Sequence, residues 1–76
     1  MIREHDTIAL SQDVPEDGLI CGDVGAVVSV HDGGKAFTVE FVDFGGRTVA
    51  IRTLPASFVR PIASTEMQSA RPLAVA

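Results

Sequence analysis

Two short glycine turns fix what this chain can become. Gly33-Gly34 and Gly45-Gly46 stand between three stretches in which apolar and polar side chains alternate. A period of two sends successive side chains to opposite faces of an extended chain, and no helix accommodates it. In Lys35–Asp43, Phe37, Val39 and Phe41 point one way while Thr38 and Glu40 point the other. In Arg47–Leu54, Val49 and Ile51 occupy the inner face, with Thr48 and Arg52 opposite. Asp32-Gly33-Gly34 and Phe44-Gly45-Gly46 supply the positive φ that tight hairpins need. The centre of the chain therefore reads as an antiparallel meander whose first member is Val24–His31. That strand carries Val24, Val27, Val28 and Val30 on both parities. A strongly bent strand serving two parts of a closed barrel explains this, as does a strand covered on both sides.

The flanks complete the pattern. Asp6–Leu10 is a first strand, with Ile8 and Leu10 on one face. Ser11–Asp23 is a long loop carrying Pro15, Gly18 and Gly22 among the acids Asp13, Glu16, Asp17 and Asp23. Loops of that length in so small a domain are often functional. Leu54-Pro55-Ala56-Ser57 breaks the fourth strand, because proline fixes φ and removes an amide donor, which suits one 3₁₀ turn. Phe58–Ile62 is a short fifth strand. The predicted fold is all-β, a small five-stranded barrel in the strand order of Src-homology-three-like domains, with one 3₁₀ turn before the last strand. Residues 1–62 form the domain and residues 63–76 a flexible tail. Thr65 and Gln68 offer that tail only a marginal capping box; ordering on a partner is the alternative.

Composition then excludes functions. Seventy-six residues hold one domain of marginal stability. Cys21 is the only cysteine, so no disulfide or zinc knuckle is available, and at a strand entrance it is expected to be buried. His5 and His31 form no ligand pair with it at metal-binding spacing, and a Cys–His dyad lacks an orienting group. The first residues run straight into charge and no run approaches the ~20 apolar residues of a membrane span. A cytoplasmic protein is expected. It has no catalytic residues, cofactor, metal or evident small-molecule substrate. The net charge is −4, and Arg3, Lys35, Arg47, Arg52, Arg60 and Arg71 are scattered singly. Nucleic-acid binders concentrate such residues on one face, which argues against that partner class.

Interaction residues remain. Asp13, Glu16 and Asp17 read as a solvated loop or as an acidic recognition surface for a basic partner. Val42, Phe44 and Phe58 form an apolar outer patch unless closure of the barrel buries them. Arg47 and Arg52, with Arg60, are the material of a small basic patch. Asp13, Glu16, Asp17, Val42, Phe44, Arg47, Arg52 and Phe58 are thus the candidate partner-binding residues. The acidic loop and the outer face of the third and fourth strands are the expected interface.

Gly22-Asp23-Val24-Gly25 is the most distinctive string. Its glycines permit tight chain reversal and its aspartate can accept loop amides, a structural role. It also resembles the KOW motif of ribosomal and transcription-factor barrels, although the loop here is acidic. Together with Val39-Glu40-Phe41-Val42-Asp43, Gly46-Arg47-Thr48 and Leu54-Pro55-Ala56-Ser57, it resembles a family of short bacterial proteins, frequent in cyanobacteria. That family is catalogued as a domain of unknown function. The likeness runs from about Ile2 to Ile62 and implies a stand-alone small barrel with no catalytic residues to carry over. A looser similarity is to the barrel of the nitrile hydratase β subunit, which packs on a catalytic partner. The expected function is a non-catalytic protein–protein interaction module: an accessory or regulatory subunit, or a self-associating barrel. The alternatives are a KOW-like nucleic-acid-binding barrel and an antitoxin or immunity-type inhibitor using the acidic loop.

Overall fold

Phe37, Val39 and Phe41 fall inward, as their spacing predicts, and organise the rest of the chain around them. A computed structural model describes residues 1–73. Its strands are β1 (Thr7–Leu10), β2 (Val24–His31), β3 (Ala36–Val42), β4 (Thr48–Pro55) and β5 (Val59–Pro61). All neighbouring strands pair antiparallel, in the order β4-β3-β2-β1-β5. The expected 3₁₀ turn, Ala56–Phe58, carries β4 into β5. The all-β class and the five strands stand. The hydrogen bonds, however, leave one five-stranded sheet that is open between β4 and β5. All three residues of β5 pair with β1.

One face of the sheet holds the core. Ile8, Leu10, Val27, Phe37, Val39, Phe41, Leu54 and Val59 are buried on it, joined by Val14 and Leu19 from the acidic loop. Those two loop residues pair across an isolated bridge, with Val14 N donating to Leu19 O at 2.9 Å and Leu19 N to Val14 O at 3.1 Å. Between them Pro15–Asp17 forms a second 3₁₀ turn, and Gly18 closes it in the left-handed region at φ 70°. The long loop is therefore a small folded flap whose apolar ends plug the core.

Two bulges correct the face assignments made from the sequence. Val27 faces Val39 while Ser29 faces Thr38, so Val28 is an extra residue in β2. A bulge reverses the parity of everything after it. This is why Val27 and Val30 both lie opposite core-facing residues of β3. On β4, Phe41 faces Ala50 and Val42 faces Thr48, leaving Val49 as the extra residue. Leu54 opposite Phe37 sets the register, and directly opposite residues share a face. Arg52 thus stands on the core side opposite Val39, and Ile51 on the outer side opposite Glu40. The inner position expected for Ile51 and the outer one expected for Arg52 are both reversed.

The Gly22-Asp23-Val24-Gly25 string performs the structural work expected of it. Ile20 N donates to Asp23 Oδ2 at 2.9 Å, and Asp23 N donates to Ile20 O at 3.0 Å. Leu10 N donates to Asp23 O and Gly22 N to Leu10 O, both at 2.8 Å, so the turn is laced to β1. Gly25 faces the core, paired with Ile8. A Cβ there would lie 2.6 Å from Val39 Cγ1 and 2.9 Å from the Phe41 ring. Residues 63–73 contain no strand or helix. The capping box considered for Thr65 and Gln68 does not form a helix; instead Ala63 N donates to Glu66 Oε2 at 2.7 Å, and Glu66 N to Ala63 O at 3.0 Å.

Val39 is stiff at its branched Cβ and Phe41 is enclosed, so neither yields easily to an added methyl group. Gly25→Ala is expected to lower unfolding free energy by about 1–3 kcal/mol, the usual range for overpacking a filled core. Urea titration followed by circular dichroism measures it, and an unchanged midpoint contradicts the packing described.

Candidate functional site

The outer face of the sheet is divided between two chemistries. At one end Ser29 and His31 of β2 meet Thr38 and Thr53 through a chain of side-chain hydrogen bonds. His31 Nε2 lies 3.2 Å from Ser29 Oγ and 2.7 Å from Thr38 Oγ1, which is 2.8 Å from Thr53 Oγ1. This end is polar and internally satisfied. At the other end Ala9 of β1 sits between Val24 and Arg60, and Thr7 beside Ala26. These residues line a groove of about 940 Å³, together with Val42, Phe44, Ile20 and Ile62. Met67, Arg71 and Leu73 of the C-terminal segment form its far wall.

Alternation puts Val42 on this face, since Phe41 points to the core, and its side is 54% exposed. Phe44 is 89% exposed, because Asp43 ties up the turn behind it: Asp43 Oδ1 accepts from Arg47 N at 2.9 Å, and Gly46 N donates to Asp43 O at 3.0 Å. The turn is rigid at its base and offers the ring to solvent. Phe58 parts company with these two residues. It is half-buried in the 3₁₀ turn and packs against the core cluster.

The acidic loop is largely occupied with its own structure. Asp13 Oδ1 accepts from Cys21 N at 2.8 Å. Asp17 holds the Arg52 guanidinium in a two-point pair, with Nη2 to Oδ1 at 2.9 Å and Nε to Oδ2. That pair clamps the 3₁₀ flap against β4, over the core side of the sheet. Asp23 takes Arg71 in the same manner. Among the described residues, Glu16 is the one acid of this loop without a hydrogen bond. Arg60 pairs with Glu66, Nη2 to Oε1 at 2.7 Å. Arg47 is exposed and donates only its backbone amide. The structure therefore does not gather Arg47, Arg52 and Arg60 into one free basic patch, since two of them are matched by carboxylates. Cys21, expected to be buried, is exposed beside the groove, because the loop turns at Gly22 before β2 begins. Among the described residues no three His, Cys, Asp or Glu side chains are grouped to hold a metal ion, and no helix is long and apolar enough to cross a membrane.

Val24, Ile20 and Ile62 escaped the sequence reading as groove residues. Val24 carried a signal, its parity opposite to Val27, but the bulge at Val28 obscured which face that parity meant. Arg71 carried a weaker one, as the only cation in residues 63–76.

The pairs also fix a response to acid. The Arg52 hydrogen bond, opposed by desolvation and aided by the Arg52 charge, holds the Asp17 carboxyl below its ordinary range. Desolvation pushes the Asp23 carboxyl up, but hydrogen bonds from Arg71 and Ile20 N, with the Arg71 charge, bring it below that range. A depressed carboxyl stabilises the fold above the unfolded pKa of about 4 and loses that contribution as pH falls through the lower folded value. Thermal midpoints are expected to hold from neutral pH to about 5 and to fall below about 4. Asp17→Asn should flatten part of that fall, and an unchanged acid limb in this variant contradicts the clamp.

No curated protein and no solved structure matches the chain. A family match does, and it covers the sheet from its first residues to the end of β5 while leaving the C-terminal segment outside. The match spans residues 4–61, and the chain belongs to the family described as Domain of unknown function (DUF4926).

Proposed function

We propose that this chain is a non-catalytic protein–protein interaction module that docks its partner in the apolar groove on the outer face of the sheet. The observation that carries the proposal is the exposure of Val42 and Phe44 beside Val24 and Ile20, all lining one groove. Contiguous apolar surface rimmed by polar residues marks interaction sites. Here Glu40 and Asp43 line the groove beside Val42, and the Ser29–His31–Thr38–Thr53 chain lies beyond Glu40 on the same face. An exposed aromatic on a braced turn loses little entropy on docking, which suits an anchor residue.

The strand order and the 3₁₀ turn before β5 support a barrel of the Src-homology-three-like type. The exposed, unpaired Cys21 fits a reducing cytoplasm. The groove is favoured over the acidic loop as the interface, because Asp13, Asp17 and Asp23 already hold groups of this chain. The pairing of Arg52 and Arg60 likewise weakens the nucleic-acid alternative.

Phe44→Asp and Val42→Asp test the proposal, since both positions are exposed and neither supports the core. Wild type is expected to recover a stoichiometric partner, or to sediment as more than a monomer, and each variant to lose that association with its circular dichroism spectrum unchanged. A wild-type monomer that recovers nothing the variants lose overturns the proposal.

A further inference from the structure

The groove carries a site of directional polar chemistry where Arg71 meets the loop before β2. Arg71 donates from Nε to Asp23 Oδ1 at 3.0 Å, and from Nη2 both to Asp23 Oδ2 and to the Gly18 carbonyl at 3.0 Å. A planar guanidinium matched to a carboxylate and a carbonyl is a directional contact that a lysine ammonium does not reproduce. The acceptors belong to the folded domain rather than to the tail. Asp23 is oriented by Ile20 N, and Gly18 by the end of the 3₁₀ turn, where its own amide donates to Pro15 O. Arg71 and Asp23 are both mostly covered, with side chains 29% and 19% exposed. Pro72 biases Arg71 before it towards extended backbone, and Leu73 then lines the groove. Between Pro61 and Arg71 the chain is exposed, and its one ion pair is Arg60–Glu66.

We infer that Asp23 and the Gly18 carbonyl form an arginine-binding subsite of the groove. Arg71-Pro72-Leu73 is its internal occupant. A protein partner enters as an extended segment with an arginine followed two positions later by an apolar side chain, displacing the tail. The inference rests on the docking role proposed for the groove and names the chemistry of its ligand. A tail tethered this closely acts at an effective concentration on the order of millimolar, so it holds the subsite by proximity and yields to a better-matched segment.

The test uses full-length ¹⁵N-labelled protein and a peptide of residues 66–73. With Arg71→Ala protein, the peptide should shift the amide signals of Gly18, Asp23 and Val24 saturably, at least about tenfold more tightly than with wild type, where the tail competes. The same peptide carrying Arg71→Ala should not bind, and Asp23→Asn added to the protein should abolish the effect, since asparagine still accepts from Ile20 N but carries no charge. Absence of saturable shifts up to several millimolar peptide overturns the inference. So does equal binding to wild type, or equal binding by the alanine peptide. Peptide binding together with failure of the Phe44→Asp experiment removes the docking role and leaves the subsite. Loss of docking in Phe44→Asp without peptide binding removes the subsite alone.

Discussion

The bare Cα of Gly25 lets Val39 and Phe41 lean across β2, and the remaining packing follows from that contact. Directly opposite lies Ile8, fully buried, so three strands meet in one small volume without a side chain between them. In a chain of this size each filled cubic ångström counts, because little other apolar surface is available to stabilise the fold. The close approach also fixes where Asp23 stands, two residues upstream. The loop before β2 is therefore placed by the core, and the acidic groups on that loop inherit their positions from it.

A shared logic connects loop and tail. Asp17 reaches across to Arg52 on the core side of the sheet, while Asp23 reaches to Arg71 beside the outer side. One loop thus anchors a flap on one face and a strap on the other. Ion pairs that keep contact with solvent contribute little stability singly, so their value here is positional. They decide which carboxylates face solvent and which wall the groove has.

The alternating stretches made β3 and the two hairpin turns legible, since period and glycine placement are local properties. Bulges are not. Val28 and Val49 each add one residue to a ladder, and nothing in their identity announces it, yet each reverses the faces that follow. That is why Ile51 and Arg52 changed places. Val14 and Leu19 were hidden for another reason: they flank a run of acids and a proline, and only the bridge between them brings them to the core. Of the site, Val42 and Phe44 were visible because a parity and a turn placed them outside. Phe58 was not separable from them, since its burial depends on how the 3₁₀ turn packs. Asp23 was visible as a turn former, but its grip on Arg71 joins residues 48 positions apart and no local pattern encodes it.

The three arginine–carboxylate pairs have a consequence for how the molecule looks from a distance. They cancel Arg52, Arg60 and Arg71 against Asp17, Glu66 and Asp23 at short range. The charges left to project outward are Arg3, Lys35 and Arg47 against Glu4, Asp6, Asp13, Glu16, Asp32, Glu40 and Asp43. A net charge of −4 is thus carried by a surface more one-sided than its composition, and Glu40 and Asp43 stand beside the groove. Such a field draws cationic segments in before any contact forms and turns polyanions away, with a reach of about 10 Å at 0.1 M salt. Under the docking role proposed for the groove, selection of a partner begins in solution, ahead of the fit.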